Sequence, residues 1–559
     1  MNRIPLEEYP RPQWKRDSYL CLNGMWDYKI QNEKCIPLQY DGKIVVPFPL
    51  ESINSEVKKE LKKGEYLIYR RFFSLPQELK NDQYILHFDG VDQIAEVYLN
   101  GQYLGRHEGG YIPFSFIIDQ KEIQDENEIV LIVQDDLDRK YGYGKQTEKS
   151  HGMWYTKASG IWKTVWLESV SYAYFKSAKI DVSLTKVKIH FDTEIQEKKL
   201  TIFLEEGKIE KQIHFNDIEI EIPHPHVWSP EDPFLYTWVV ESEDDKITSY
   251  FALRTIEVGK DANQTPCLLL NGKPYFFHGL LDQGYFVHGN LTPDSYQDFL
   301  FEIRTLKELG FNTLRKHIKI EPLYFYYLCD KEGMVIFQDM VNHGKYSFFQ
   351  DTVLPTIGIK KWKNKGKHVL EETKKCFIKD CEETLALLYN TPSVLYYTIF
   401  NEGWGQFSAD EMYIKVKELE PHRIIDTTSG WFFETKSDVD SHHIYFKKLR
   451  LQMKNRPLIL SEFGGYAYLC KGHCFKENKS FGYRIYRKQD KFQEGIKKLY
   501  LKELIPLIKK GLSTAIYTQV SDVEEEINGL FTYDRKILKV RKEEMLLIKE
   551  AIVEVMKSR

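Results

Sequence analysis

The sequence predicts a three-domain chain: a jelly-roll β-sandwich over residues 1–172, an immunoglobulin-like β-sandwich over 173–256 and a (β/α)8 TIM barrel over 257–559. Three observations predict it. Short alternating strands with turn signals fill everything up to residue 256. From 257 the texture changes to apolar strands separated by long amphipathic segments. And 559 residues exceed what one core serves, at about 150 residues per domain.

In the first domain the strands are Tyr66–Phe73, Gln83–Phe88, Ala95–Leu99, Glu128–Val133 and Thr164–Glu168. Asn100-Gly101 after the third of them is a hairpin turn signal, and no helical stripe interrupts the series. In the second domain Lys179–Ser183, Lys188–Phe191, Leu200–Leu204 and Glu219–Ile222 alternate apolar with polar, as a small sandwich requires. The third domain reads as helix 293–309, strand 313–315, helix 322–332, strand 335–337, helix 369–388 and strand 394–400. Strands at 424–425 and 458–460, a helix at 490–510 and a strand at 515–517 follow. Apolar strands alternating with helices mean a parallel sheet buried on both faces. No glycine-rich phosphate loop follows the first strand, which disfavours a doubly wound dinucleotide fold.

Charge narrows the function classes. The chain has 78 basic and 82 acidic side chains, a net charge of -4, so it lacks the basic excess of a nucleic-acid binder. The amino-terminal residues show no apolar signal core and no stretch is apolar enough to span a membrane, which points to a cytoplasmic location. The eight cysteines are scattered and read as free thiols, including the loop Cys470-Lys-Gly-His473-Cys474, which has no second metal-binding half. Aromatic residues make up 14%. Most of that suits two β cores, and a share suits the flat apolar face of a sugar ring.

In a parallel barrel the chemistry sits at the carboxyl ends of the strands. Two apolar runs stop abruptly there on a glutamate followed by glycine. Ser393–Phe400 ends in Asn401-Glu402-Gly403-Trp404, and Pro457–Ser461 ends in Glu462-Phe463-Gly464-Gly465. A carboxylate at a buried strand end costs free energy unless it is paired or used. Two facing carboxylates are what glycosidic cleavage needs, one held protonated for the leaving oxygen and one ionised beside the anomeric carbon.

With these residues in view, the chain resembles glycoside hydrolase family 2, the β-galactosidases, β-glucuronidases and β-mannosidases, over nearly its whole length. The markers are Asn23-Gly-Met-Trp26, Tyr69-Arg-Arg-Phe72, Phe88-Asp-Gly-Val91, Val97-Tyr-Leu-Asn-Gly101, Ser159-Gly-Ile-Trp162 and the segment Trp228–Tyr236. The resemblance implies that Glu402 is the acid/base, that Asn401 binds the sugar 2-hydroxyl and that Glu462 is the nucleophile of a retaining double displacement. Tyr445, within Ser441-His-His-Ile-Tyr445, is the candidate to touch the nucleophile, with His443 lining the pocket and Trp431 a stacking wall.

The chain departs from the family in three places. Arg315-Lys-His317 replaces a longer motif, so His317 is displaced by one position. Asp282, Gln283 and Tyr285 stand where relatives contact substrate. Glu526-Ile-Asn528 stands where glucuronidases carry an Asn-x-Lys that grips a uronate, and an acid there would repel one. The expectation is therefore an exo-β-glycosidase on a carbohydrate or glycoside substrate. β-Galactosidase is favoured by the frequency of that activity in the family. β-Glucuronidase or another family β-glycosidase is the alternative, and a non-catalytic carbohydrate-binding protein is the alternative of another class. Gln519 and one acid of Asp522–Glu526 are further candidate sugar contacts. No cofactor or metal, no nucleic acid and no membrane partner are expected, and a homodimer or homotetramer is compatible with the family.

Overall fold

A computed structural model describes residues 4–347, 349–354, 369–432 and 434–559. The two sandwiches and the barrel are all present, in the order the sequence predicts.

The first sandwich packs a six-stranded antiparallel sheet, centred on Tyr66–Phe73 and Asn127–Gln134, against a four-stranded sheet centred on Gln83–Phe88 and Val165–Val170. Their inward residues, among them Trp26, Leu67, Phe88, Val97 and Leu131, form one apolar core. Asn100 and Gly101 are both left-handed, with φ of 51° and 79°, as a tight hairpin turn between strands 94–99 and 102–108 demands. The strand predicted over Glu128–Val133 extends one residue further at each end, Asn127–Gln134. The second sandwich packs three strands against four around Trp14, Phe191 and Trp238. Its strand Lys186–Thr193 alternates exposed and buried along its whole length.

A small antiparallel sheet, Ile256–Lys260, Pro266–Leu270 and Lys273–Pro274, precedes the barrel. Ile256, Leu268 and Leu270 pack with Phe277, Val335, Leu395 and Ile424 from the amino ends of barrel strands, and so close that end with apolar side chains. The barrel strands are β1 Phe277–Asp282, β2 Thr313–Lys316, β3 Val335–Asp339, β4 Val394–Asn401, β5 Ile424–Ser429, β6 Asp440–Ile444, β7 Leu458–Gly464 and β8 Leu512–Thr518. Parallel pairing runs β5-β4-β3-β2-β1-β8-β7-β6, and β5 and β6 lie side by side without a ladder, so the ring is nearly closed.

Helices α1 Tyr296–Glu308, α2 Leu323–Glu332, α3 Glu371–Leu388 and α4 Ala409–Leu419 cover the strands on the outside. Helix α5 Gln489–Leu499 passes through a π-helical turn, Tyr500–Leu504, into α6 Ile505–Lys510, and α7 Lys542–Lys557 ends the chain. The sequence predicts one continuous helix over 490–510. The π turn falls just before Pro506, which has no N–H for the regular ladder. Among the described residues no helix joins β5 to β6 or β6 to β7.

Candidate active site

The carboxyl ends of the strands converge on one cluster. Glu402 follows β4 directly, in a left-handed conformation with φ of 48°, and its N–H donates to the Ser429 carbonyl at the end of β5 (3.1 Å). Gly403, also left-handed at 68°, lets the chain turn away. Glu462 lies within β7, where the pairing with β6 steps from His442↔Leu460 to His443↔Glu462 and skips Ser461. That bulge sets His443 opposite Glu462. Glu402 and Glu462 are 8% and 4% exposed.

The hydrogen bonds define how each group is charged. Arg315, at the end of β2, is fully buried and donates to Glu462 Oε1 (2.9 Å), Asp339 Oδ1 (2.9 Å), Asn401 Oδ1 (2.9 Å), Ser429 Oγ (3.0 Å) and His443 Nε2 (3.2 Å). Burial works against its charge, but the Asp339 and Glu462 carboxylates more than offset that and raise its pKa. Because His443 Nε2 accepts from a guanidinium, its proton sits on Nδ1, which donates to Glu402 Oε1 (2.9 Å). Burial pushes the His443 pKa down to about 3, so the imidazole is neutral. The Tyr445 hydroxyl donates to Glu462 Oε2. Burial, and then the Glu462 charge, raise the Tyr445 pKa well above its ordinary range, which keeps it a donor. Asn401 Oδ1 is held by Arg315 and Ser429, which fixes Nδ2 as the donor end of the amide.

One oxygen of each glutamate and a nitrogen of His443 lie within 4.8 Å of one another. Those three could geometrically hold a cation. The Arg315 guanidinium already supplies positive charge to Glu462 Oε1 and donates to His443 Nε2.

The first sandwich reaches into this pocket. Lys145 is 5% exposed, its ammonium lies 4.7 Å from the ring centre of Trp404 and 5.5 Å from that of Trp154, and among the described residues no carboxylate comes within ion-pair distance. Burial lowers its pKa, and the charges of Glu526, Glu402 and Glu462 oppose the shift. Glu526 accepts from the Tyr155 hydroxyl (2.5 Å) and from Asn528 Nδ2 (2.9 Å). Asn528, Gln519 and Gln283 continue the chain of hydrogen bonds at 2.8 Å each, ending at Gln283 Oε1, which is buried without a partner among the described residues. Burial raises the Glu526 pKa, and the Lys145 charge opposes it.

Most residues singled out in the sequence meet here. His317 Nδ1 bonds Asp339 Oδ2 (2.8 Å), with Trp404 edge-on to its ring. Trp431 stands edge-on to His443 at 6.0 Å. Tyr445 stacks on Tyr483 at 3.7 Å. Asp282 does not fit the expected contact role. Its Oδ1 accepts from the Gly284 N–H and its Oδ2 from Lys316 (2.9 Å each), in a separate buried ion cluster with Glu321 and Lys319. In the acidic run, Asp522 is bonded to Lys539, Glu524 accepts the Thr156 N–H (2.9 Å) and Glu525 pairs with Lys476 and Lys479, while Glu526 feels the charges of Lys145 and Glu462. The 470–474 loop holds no metal cluster among the described residues, and His473 pairs with Asp534.

Comparison with known proteins places this arrangement. A family model described as "Glycosyl hydrolases family 2, TIM barrel domain" matches residues 263–555, more than half of the chain. Two others match 164–254 ("Glycosyl hydrolases family 2") and 39–183 ("Glycosyl hydrolase 2 galactose-binding domain-like"). The chain belongs to glycoside hydrolase family 2. Similar curated proteins include a β-galactosidase of Thermoanaerobacter pseudethanolicus, 27% identical over 54% of this chain and 42% of that protein. A β-glucuronidase of Streptococcus agalactiae is 20% identical over 82% of this chain and 84% of that protein. The chain spans 34–42% of the length of the first three curated relatives. Among solved structures, a β-glucuronidase of an uncultured Clostridium has a TM-score of 0.76 at 17% identity, covering 97% of this chain and 99% of its own, a likeness that establishes the fold.

Several residues of this candidate site escape the sequence reading. Asp339 ends an apolar strand just as the two glutamates do, and the same rule applied to β3 finds it. Arg315 sits in a motif read only for its histidine. Lys145, Tyr155 and Tyr483 lie outside the barrel strands, and no strand-end signal marks them.

Proposed function

We propose that the protein is a retaining exo-β-glycosidase. The observation that carries this reading is the pair of buried glutamates facing each other from β4 and β7 at the carboxyl-end rim, with oxygens within 4.8 Å and one neutral imidazole between them. Close spacing, about 5–5.5 Å, belongs to retaining enzymes, whereas inverting ones need about 6.5–9.5 Å to admit a water. The two environments are unequal in the way the chemistry requires. Glu462 has a guanidinium on one oxygen and a phenol on the other, which suits an ionised nucleophile. Glu402 accepts from the neutral His443 imidazole, and its place at the turn after β4 suits a carboxyl that passes a proton to and from the leaving oxygen.

In the first step a Glu462 oxygen bonds the anomeric carbon as the glycosidic C–O bond breaks, and the Glu402 proton goes to the leaving oxygen. In the second, Glu402 takes a proton from water, the water oxygen bonds the anomeric carbon, and Glu462 is released. Asn401 Nδ2 is placed to donate to a sugar hydroxyl, and the Arg315 network keeps the asparagine oriented. Lys145 and Glu526 bring one charge of each sign toward the two glutamates, Trp404 lies against the Lys145 ammonium and Trp431 stands against His443.

A terminal β-galactoside is the first substrate reading, supported by Glu526 and Asn528 at the place a uronate would occupy and by the names of several curated relatives. One observation favours a second reading, a β-linked uronic acid: the Lys145 ammonium is buried beside the pocket without an ion pair among the described residues. A panel of nitrophenyl β-D-galactoside, glucuronide, galacturonide and mannoside tests both. Release from the galactoside alone supports the first reading. Release from a uronide that Lys145→Ala abolishes supports the second. Silence on every sugar at high enzyme concentration rejects the glycosidase reading. Glu462→Gln is expected to stop turnover, with azide restoring Glu462→Ala and giving inverted product.

A further inference from the structure

A cleft of about 910 Å³ opens beside the pocket and is lined by Tyr445, which bonds Glu462, and by its stacking partner Tyr483. One wall is the loop after β6, Tyr445–Arg450, and the other is the face of α5 and its π-helical continuation carrying Lys491, Gly495, Lys498 and Lys502. Eight cations line it against two carboxylates, in a chain whose net charge is -4.

Both carboxylates are already engaged. Glu494 pairs with Lys491 (2.7 Å), and Glu503 accepts the Leu449 N–H (2.9 Å), which ties the loop to the helix. Lys447, Lys448, Arg450, Lys498, Lys502 and Lys510 make no ion pair among the described residues, and Arg484 lies over the rings of Tyr466 and Tyr486 instead. Holding so many like charges around one concavity costs self-repulsion that an anionic occupant relieves. Phe446, 73% exposed and edge-on to Tyr483 at 5.2 Å, adds an apolar face at the junction with the pocket.

We propose that this cleft seats the remainder of the substrate, an anionic saccharide chain carrying carboxylate or sulfate groups, whose terminal sugar enters the pocket at Tyr445 and Glu462. The aromatic residues at the junction, Tyr445, Tyr483 and Phe446, offer the stacking faces that sugar rings use, and the unpaired lysines and arginines read the charges spaced along the chain. The proposal rests on the glycosidase reading of the pocket, so binding and turnover are measured apart.

Calorimetry on Glu462→Gln, with hexagalacturonate, a heparin hexasaccharide, neutral xylohexaose and a thymidine hexanucleotide as probes, tests it directly. At least one acidic hexasaccharide is expected to bind, more weakly as salt rises, and the neutral one is not. Carboxylated and sulfated sources are told apart by which acidic probe binds tighter. Adding the double change Lys498→Glu and Lys502→Glu, on the exposed helix face, is expected to weaken that binding about tenfold or more. The same double change in the active enzyme is expected to leave kcat/KM for a small neutral aryl glycoside unaltered, which guards against misfolding. Equal binding of acidic and neutral chains, an unchanged affinity in the double variant, or tighter binding of the nucleotide overturns the proposal. A silent glycoside panel with intact acidic-chain binding would overturn the glycosidase reading alone.

Discussion

Gly430 holds the candidate site open at the scale of a single atom. It is left-handed, with φ of 89°, and a Cβ there would lie 2.9 Å from His443 Nδ1 and 3.3 Å from Glu402 Cγ. Gly430→Ala is therefore expected to push apart the pair whose hydrogen bond orients Glu402 and to lower kcat about 100-fold. Gly207 has nearly the same φ, 88°, and a Cβ there would meet nothing within 4 Å, so Gly207→Ala suffers only the backbone strain of about 1–2 kcal/mol. Comparing kcat and melting temperature of the two variants separates the effects; equal kcat values would show that the imidazole tolerates displacement. His443 makes a second expectation. With its pKa near 3 it stays uncharged above about pH 4, so His443→Gln is expected to lower the plateau of the kcat/KM profile and leave the position of its acid limb in place. A shift of that limb by about one unit or more would mean that the imidazole carries charge in the working range.

Strand β2 separates function from stability within two consecutive residues. Arg315 points to Glu462 and Asp339, while Lys316, on the opposite face, pairs with Asp282 (2.9 Å) and Glu321 and lies over the Phe325 ring of α2. Arg315→Met is expected to abolish turnover. Lys316→Met leaves buried carboxylates without their main partner and is expected to cost about 3–5 kcal/mol of stability, with kcat of the folded fraction retained. Urea unfolding beside active-site-normalised kcat checks the contrast, and a loss of kcat in the folded Lys316 variant would refute it. The same strand shows what the sequence discloses. Apolar runs that stop on an acid mark Glu402, Glu462 and Asp339 alike, because a parallel sheet buried on both faces presents its charges at the strand ends on the rim. Asp282 obeys the same pattern and yet serves Lys316, since a strand-end acid is equally able to neutralise a buried lysine. Lys145 illustrates the part that is hidden. It enters from another domain, and its approach depends on how the first sandwich docks on the barrel, which no local periodicity encodes.

At the scale of the whole molecule, two buried carboxylates hold the domains together and respond to pH in opposite directions. Glu168, on the first sandwich, accepts from Arg11 (3.1 Å), Arg16 (2.9 Å) and His87 (3.0 Å), and Arg16 continues to Asp245 of the second sandwich. Burial opposes its charge, but Arg11, His87 and Arg16 together hold its pKa far below the usual 4.5. Its contribution is thus fully present above pH 4.5 and is lost as pH falls toward the lower folded value. Asp330, on α2, joins the Tyr250 hydroxyl of the second sandwich (2.7 Å) to the Ser393 N–H before β4 (2.7 Å). Burial raises it from 3.8 to about 7 despite those two bonds. Its native state prefers the neutral form, so that junction is strongest below pH 3.8 and weakens as pH rises through 7. Glu168→Gln is expected to lower the unfolding temperature at neutral pH, at a cost of about 3–5 kcal/mol, and to converge with the parent protein in acid. Asp330→Asn keeps an acceptor for Ser393 and a donor for Tyr250, and is expected to match the parent near pH 4 and exceed it above pH 7. Unfolding temperatures of the three proteins from pH 3 to 8 test the pair. Curves that stay parallel for Glu168→Gln, or an Asp330→Asn curve that falls below the parent at alkaline pH, would reject the assigned protonation states. If both hold, the parent's stability peaks between the two transitions, where Glu168 is ionised and Asp330 still keeps its proton.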